Sequence, residues 1–353
     1  MPAGLRCPIC GNTYADRWRC ECGHPLEFAN RPLPDSSVPA ALDTSDGLWT
    51  FADFLPVTRE VSLGEGWTPL VEAPDWSAEF KLEYVSPTGS FKDRGAATTI
   101  SRAVECGVER VLEDSSGNAG TAIATYAARA GIDAEIYVPA DAKESKRRAI
   151  ERAGADIVQI EGAREDVTNA AIEAVERGAG WYASHAWRPA FYAGTQTLGF
   201  EVAAQRNWQV PDAVVYPVGH GTLFLGAYRG FRALCDAGWI DEIPRLLGAQ
   251  AAGYAPVVAD PVDGRNDLAD GIHIHEPVRK DEIIRAIEET GGDAIAIDAE
   301  ATERERNRLH RAGFYVEPTS AVAPAALREY RARGVVGEND HVVVPLTGSG
   351  LKS

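Results

Sequence analysis

No apolar stretch of this chain approaches the roughly 20 residues that a helix needs to span a bilayer, so a helical membrane protein is excluded. Lysine is scarce. Only six of the 35 basic residues are lysine, namely Lys81, Lys92, Lys143, Lys146, Lys280 and Lys352. The formal net charge is -17. Nucleic-acid binding rests on clustered Lys and Arg, so no nucleic-acid partner is expected, and by the same reasoning no anionic membrane surface. The amino terminus, Met1-Pro2-Ala3-Gly4-Leu5-Arg6, has no apolar signal region ahead of its cysteines, and a cytoplasmic protein is expected. Internal repeats and low-complexity segments are absent.

At 353 residues with 45% hydrophobic content, the chain is long enough for two domains and a small appendage. From Arg110 to Ile160, strand-like segments alternate with helical ones: Arg110–Glu113, Ala134–Val138 and Asp156–Ile160 are separated by helical runs over 121–130 and 143–153, with a further helix over 165–177. The rhythm resumes at 213–218, 246–250, 294–297 and 341–346. Strands spaced by helices predict an α/β fold with two open, mostly parallel twisted sheets and flanking helices. The expected division is a cysteine module over 1–30, a large α/β domain from 31–80 and 180–353, and a small α/β domain over 81–179. The stretch 31–56, rich in Pro, Asp and Ser, reads as a surface linker.

Four of the six cysteines fall in the first 22 residues, as Cys7-Pro8-Ile9-Cys10-Gly11 and Cys20-Glu21-Cys22-Gly23. Two short cysteine turns ending in glycine suit a tetrahedral zinc site formed by Cys7, Cys10, Cys20 and Cys22. The second pair has a one-residue gap where two are usual, and His24 stands nearby as a substitute ligand. Cys106 and Cys235 lie in helical patterns and read as small core residues.

The remaining signals sit where strands end, which is where open parallel sheets bind ligands. Lys92, in Pro87-Thr88-Gly89-Ser90-Phe91-Lys92-Asp93-Arg94-Gly95, heads an Ala-rich helical run after a strand-like segment over 79–85. A lysine held there, partly desolvated and beside helix-terminal amides, has the depressed pKa that Schiff-base chemistry needs. Ser115-Ser116-Gly117-Asn118-Ala119-Gly120 leads into a helix, and its hydroxyls and amides suit a carboxylate, while Asn118 can donate to a phenolic oxygen. Gly219-His220-Gly221-Thr222-Leu223 opens another helix and lets amides approach a phosphate; it is neither a Walker loop nor the usual dinucleotide fingerprint. Thr347, in Thr347-Gly348-Ser349-Gly350-Leu351-Lys352, offers a neutral hydroxyl to a pyridine nitrogen, which favours elimination and replacement chemistry.

In order and as a set, these four motifs resemble the threonine synthase family of fold-type II pyridoxal phosphate enzymes, and the likeness covers nearly the whole chain, cysteine knuckles included. The resemblance implies the tryptophan synthase beta-like fold, with pyridoxal 5'-phosphate as cofactor and zinc in the amino-terminal element. It implies that Lys92 is the Schiff-base lysine and acid/base, that Asn118 meets the cofactor's 3-oxygen, that Gly219, His220, Gly221, Thr222 and Leu223 hold its phosphate, and that Thr347 faces its ring nitrogen. Ser115, Ser116 and the Ala119 amide would hold the carboxylate of a small amino-acid substrate, and Glu317-Pro318-Thr319-Ser320-Ala321 resembles a late segment of the family. The implied reaction is O-phosphohomoserine plus water to threonine plus phosphate, by a homodimer, the default symmetric assembly.

One region departs from the pattern. Where typical members carry Asn-Pro-Tyr-Arg-Leu-Glu-Gly-Gln-Lys-Thr, this chain has Arg188-Pro189-Ala190-Phe191-Tyr192-Ala193-Gly194-Thr195-Gln196-Thr197. Phe191 stands at the arginine that grips substrate phosphate, and an apolar ring cannot replace a forked cationic donor. Arg188 or His185 would have to supply that charge. The alternative is another fold-type II lyase: beta-elimination of serine, threonine or a diamino acid, or beta-replacement that forms cysteate or cysteine. A non-catalytic zinc-ribbon adaptor is the third reading, opposed by the acidic charge and by the four motifs.

Overall fold

The computed structural model describes residues 2–35, 37–259 and 264–352. Two compact units emerge: Met1–Leu33 with Leu42–Gly66 and Lys92–Thr195, and Pro34–Ala41 with Trp67–Phe91 and Gln196–Ser353.

The chain opens with three two-residue strands, β1 (Leu5–Arg6), β2 (Thr13–Tyr14) and β3 (Glu27–Phe28), in the antiparallel order β2-β1-β3. Leu5, Leu26 and Phe28 on this small sheet are buried with Cys7, Cys20 and Val57. Next come β4 (Leu70–Ala73) and β5 (Ala78–Lys81), then α1 (Lys92–Glu105), β6 (Arg110–Glu113), α2 (Asn118–Ala130), β7 (Asp133–Pro139), α3 (Glu144–Arg152), β8 (Asp156–Ile160), α4 (Arg164–Glu176), β9 (Trp181–Tyr182) and α5 (Pro189–Thr195). The second unit continues with α6 (Thr197–Gln205), β10 (Ala213–Pro217), α7 (Thr222–Asp236), β11 (Arg245–Ala251), α8 (Lys280–Glu289), β12 (Asp293–Ile297), α9 (Ala299–Arg311), α10 (Pro318–Ala332) and β13 (Val342–Pro345).

In the first unit, β8-β7-β6-β9 form an all-parallel sheet. Small residues let its helices pack closely: Ala96, Ala97 and Ala103 of α1 share a core with Ala122, Ile123 and Tyr126 of α2 and with Val111, Ile136 and Val138 of the sheet. The second unit has the order β12-β11-β10-β13-β5-β4, parallel except at the edge pair β4 and β5. Ala213, Val215, Leu247, Ile295 and Val344 from this sheet pack with Val322, Leu327 and Tyr330 of α10. Among the described residues no helix is long and apolar enough to cross a membrane.

Three features depart from the sequence-based expectations, and each has a packing cause. The stretch read as a surface linker contains a 3-10 helix over Thr44–Phe54 that buries Leu48, Trp49, Phe51 and Phe54. Its anchor is Glu65, fully buried, which accepts from Trp49 Nε1 at 2.9 Å, Tyr126 Oη at 2.9 Å and the Leu63 amide at 2.7 Å, while its carbonyl accepts the Leu48 amide at 2.8 Å. The strand expected over 79–85 ends at Lys81, and Glu83–Val85 forms a 3-10 turn. Lys81 is buried and donates to Glu201 Oε2 at 2.7 Å, to the Thr68 carbonyl at 2.6 Å and to Gln205 Oε1 at 2.9 Å, so its charge is fully compensated. The units divide at Lys92 and Thr195, against 81 and 179 in the sequence-based division, because β5 pairs with β13 and α5 packs on α1.

Candidate active site

Lys92 is the first residue of α1 and is half-buried. The backbone just before it is fixed: the Phe91 amide donates to the Thr347 carbonyl at 3.0 Å, and Ser90 bridges Gly348. Within the first unit the Lys92 Nζ lies 5.5 Å from the centroid of the Phe191 ring. That ring is fully buried against Gly95, whose missing Cβ would overlap it. A Cβ on Gly194 would likewise overlap the Arg94 carbonyl, so α1 and α5 meet backbone to backbone.

Asn118 is the first residue of α2, behind the Gly117 cap, and Ser115, Ser116 and Ala119 surround that helix start. Gly120 is required, since a Cβ there would overlap the Ser115 carbonyl. The leading amides of a helix have no intrahelical acceptors and carry the positive end of its dipole. Just upstream, Glu113 ends β6, fully buried, with Oε1 2.6 Å from His185 Nδ1.

In the second unit, Gly219 and His220 follow β10, and Gly221 caps α7 in the left-handed region at φ 73. Thr222 and Leu223 are its first residues and are buried. Side chains at 219 and 221 would press on Ile272 and Ile283, so both glycines keep the backbone clear. Thr347 is buried, its hydroxyl 3.0 Å from Ser320 Oγ, which also accepts the Gly348 amide at 2.8 Å. Ser320 lies in the first turn of α10, which Glu317 caps; a Cβ on Gly348 would overlap the Glu317 carboxylate.

Arg188 is buried and engaged elsewhere. Its Nε donates to the Tyr182 carbonyl at 2.6 Å, its Nη1 reaches Asp16 Oδ2 at 3.0 Å, and the guanidinium stacks 3.5 Å from the Trp181 ring centroid. Burial pulls its pKa down to about 10, against the opposing pull of Asp16. Asp16 also accepts from Trp181 Nε1 at 2.7 Å and lies 3.7 Å from Arg102 Nε of α1.

Cys7, Cys10, Cys20 and Cys22 bring their sulfurs within 4.8 Å of one another. The Cys7–Cys22 and Cys10–Cys20 sulfur pairs are 3.6 and 3.4 Å apart, close to the ~3.8 Å edge of a tetrahedron with ~2.3 Å zinc–sulfur bonds and far beyond a disulfide bond. The uneven spacing is absorbed by the turns. The Gly11 amide closes on the Cys7 carbonyl four residues back at 3.1 Å, whereas the Gly23 amide closes on Cys20 three back at 2.9 Å. Both glycines sit at positive φ. His24 Nδ1 is 3.6 Å from Cys22 Sγ, outside the four-sulfur cluster. Cys106 and Cys235 are only part-buried.

Comparison with known proteins agrees with these halves. Residues 61–348 match the family model described as pyridoxal-phosphate dependent enzyme. The chain is 33% identical to the threonine synthase of Methanocaldococcus jannaschii over 98% of this chain and 92% of that protein, and 34% identical to that of Methanosarcina acetivorans over 86% and 80%. Maize serine racemase shares the fold, at 21% identity and a TM-score of 0.68, over 80% of this chain and 88% of that one. The chain belongs to the threonine synthase family of pyridoxal-phosphate dependent enzymes.

Proposed function

We propose that this chain is a pyridoxal phosphate-dependent threonine synthase that converts O-phosphohomoserine and water to threonine and phosphate. The observation that carries the reading is the end-to-end match to the M. jannaschii threonine synthase. The donor sets suit the cofactor: a half-buried amine at Lys92, an amide side chain at Asn118, glycine-cleared amides from Gly219 to Leu223 at the head of a 15-residue helix, and a neutral hydroxyl at Thr347. When bound, pyridoxal phosphate supplies the electron withdrawal that makes the substrate's alpha and beta protons acidic.

The chain's own residues do the rest. Lys92 takes the alpha proton, then a beta proton, and returns protons as phosphate leaves the gamma carbon and water adds at the beta carbon. Ser115, Ser116 and the Ala119 amide hold the substrate carboxylate at the head of α2. Gly219, His220, Gly221, Thr222 and Leu223 would hold the cofactor phosphate, chiefly through amides. Thr347, whose hydroxyl is held by Ser320, would face the ring nitrogen with a neutral donor. Arg188, committed to Asp16 and Tyr182, ties the cysteine module to the body rather than gripping substrate. Zinc held by the four clustered cysteines stabilises that module. The working form is a cytoplasmic homodimer whose chain folds as a cysteine module, a small α/β domain and a large α/β domain.

Phe191 favours a second reading, elimination or beta-replacement on an amino acid without a phosphate, because a fully buried ring gives a phosphate no donor. The two readings separate in one assay. Threonine synthase releases one phosphate per threonine from O-phosphohomoserine, and Lys92→Ala releases neither. Ammonia and a 2-oxo acid from serine or threonine, with no phosphate release, would support the second reading instead.

A further inference from the structure

A buried acid–base pair lies near Lys92 and has no part in the chemistry proposed so far. Glu113 closes β6 at the carboxyl end of the sheet, fully buried, with Oε1 2.6 Å from His185 Nδ1 and no hydrogen-bond partner for Oε2 among the described residues. His185, 5% exposed, meets the Phe191 ring edge-on with centroids 5.9 Å apart, and Lys92 Nζ lies 5.5 Å from the same ring's centroid. Leaving a buried carboxyl oxygen without a partner costs free energy, so such a group calls for a reason.

The charges around Glu113 show which form it takes. Burial and the Asp114 carboxylate push its pKa well above the usual carboxylate range, while Lys92 of α1, Arg164 of α4 and the His185 backbone pull it back. Tyr182 of β9 donates to Asp114 Oδ1 at 2.9 Å and faces the same cluster. Its surroundings therefore disfavour the ionised form, and a cation beside it favours that form.

We propose that Glu113 and His185 are positioning residues whose shared proton answers the charge on Lys92: Oε1 holds the proton while the Lys92 amine is neutral, and the proton moves to His185 Nδ1 as Lys92 takes up a proton from substrate, which leaves a carboxylate as the anionic end of a net-neutral pair. One O–H bond breaks and one N–H bond forms, and the pair gains and loses no proton overall. A permanent carboxylate would hold Lys92 in the ammonium form and stop it acting as a base. The proton shift avoids this, and it rests on Lys92 being the amine that moves substrate protons.

The test compares wild type with Glu113→Gln, His185→Gln and the double variant. Each single variant is expected to lower kcat at least 10-fold with KM within 2-fold, and the double variant to lose no more than the worse single, because the two residues act as one unit. A second readout needs no cofactor. In the full chain stripped of pyridoxal phosphate, the pH midpoint for reductive methylation of Lys92, followed by peptide mass, is expected to fall by about 1 pH unit in Glu113→Gln. Additive losses in kcat, or an unchanged methylation midpoint, would overturn the proposal. A wild type that gains no visible absorbance with pyridoxal phosphate would instead overturn the cofactor role of Lys92, and the methylation midpoint would still decide the coupling between Glu113 and Lys92.

Discussion

Gly95→Ala places one methyl group where the Phe191 ring lies. In an open helix interior that exchange stabilises by about 1 kcal/mol, the difference in helix propensity. Here the added Cβ would overlap Cγ, Cδ1 and Cε1 of a fully buried ring. The ring is rigid, and α1 and α5 already touch backbone to backbone at Arg94 and Gly194, so neither side can yield cheaply. Overpacking of this kind costs about 1–3 kcal/mol. With the upper part of that range set against the propensity gain, the net loss is about 2 kcal/mol, or roughly 4–8 °C in Tm for a unit of 150–250 residues. Phe191→Ala alone should cost about 3–5 kcal/mol through the cavity it leaves. In that background Gly95→Ala should change sign and stabilise by about 1 kcal/mol, because the methyl now enters space. Thermal and guanidinium denaturation of the four proteins measure both numbers. If Gly95→Ala stabilises the wild type, or costs the same in both backgrounds, the packing of Phe191 on α1 is not as described.

Metal analysis of the purified chain should find one zinc per chain, lost in Cys7→Ser and retained in Cys235→Ser, with chelation lowering Tm. Arg188→Met should cost about 2 kcal/mol, because it removes a charged donor from Asp16, which keeps only Trp181 and Arg102 beside it, and should leave KM for O-phosphohomoserine unchanged; a 10-fold rise in KM with stability intact would make Arg188 a substrate ligand. Glu113 also predicts a pH effect. Its folded pKa lies above the unfolded value of about 4.3, so the native state binds the extra proton and wild-type stability falls as pH rises from there toward the folded value. Glu113→Gln removes that slope, so the stability of the variant relative to wild type should rise between pH 5 and 8; a constant difference would mean that Glu113 is ionised in the folded protein throughout.

The parallel sheets were legible because their strands read as short apolar runs, such as Val342-Val343-Val344 and Ala213-Val214-Val215, divided by Ala-rich helices with glycine-rich entries. The places of the loops at 115–119 and 219–223, after a strand and at the head of a helix, were legible for the same reason. Pairings across long sequence separations were not. Nothing local marks Glu65 as the anchor that folds Thr44–Phe54 inward, and the excess of Pro, Asp and Ser around that helix hides its apolar side chains Leu48, Trp49, Phe51 and Phe54. Arg188 looked available because its partner Asp16 is 172 residues away in the cysteine module. Glu113 did leave a signal: Glu-Asp closes an apolar strand just before Ser-Ser-Gly-Asn, a costly place for charge unless it has a task. Phe191 could be placed by its motif, but its burial could not, because that depends on the missing side chain at Gly95.

The most direct test of the role of Lys92 is chemical. The chain is loaded with pyridoxal phosphate, checked for absorbance near roughly 410–430 nm, and treated with borohydride, which fixes the cofactor irreversibly to the amine that carries it. Peptide mapping should find one modified lysine per chain, Lys92, with Lys81, Lys143, Lys146, Lys280 and Lys352 unmodified. A label on any of those five, or no label in a chain that shows the band, would contradict the assignment of Lys92 as the centre of the site.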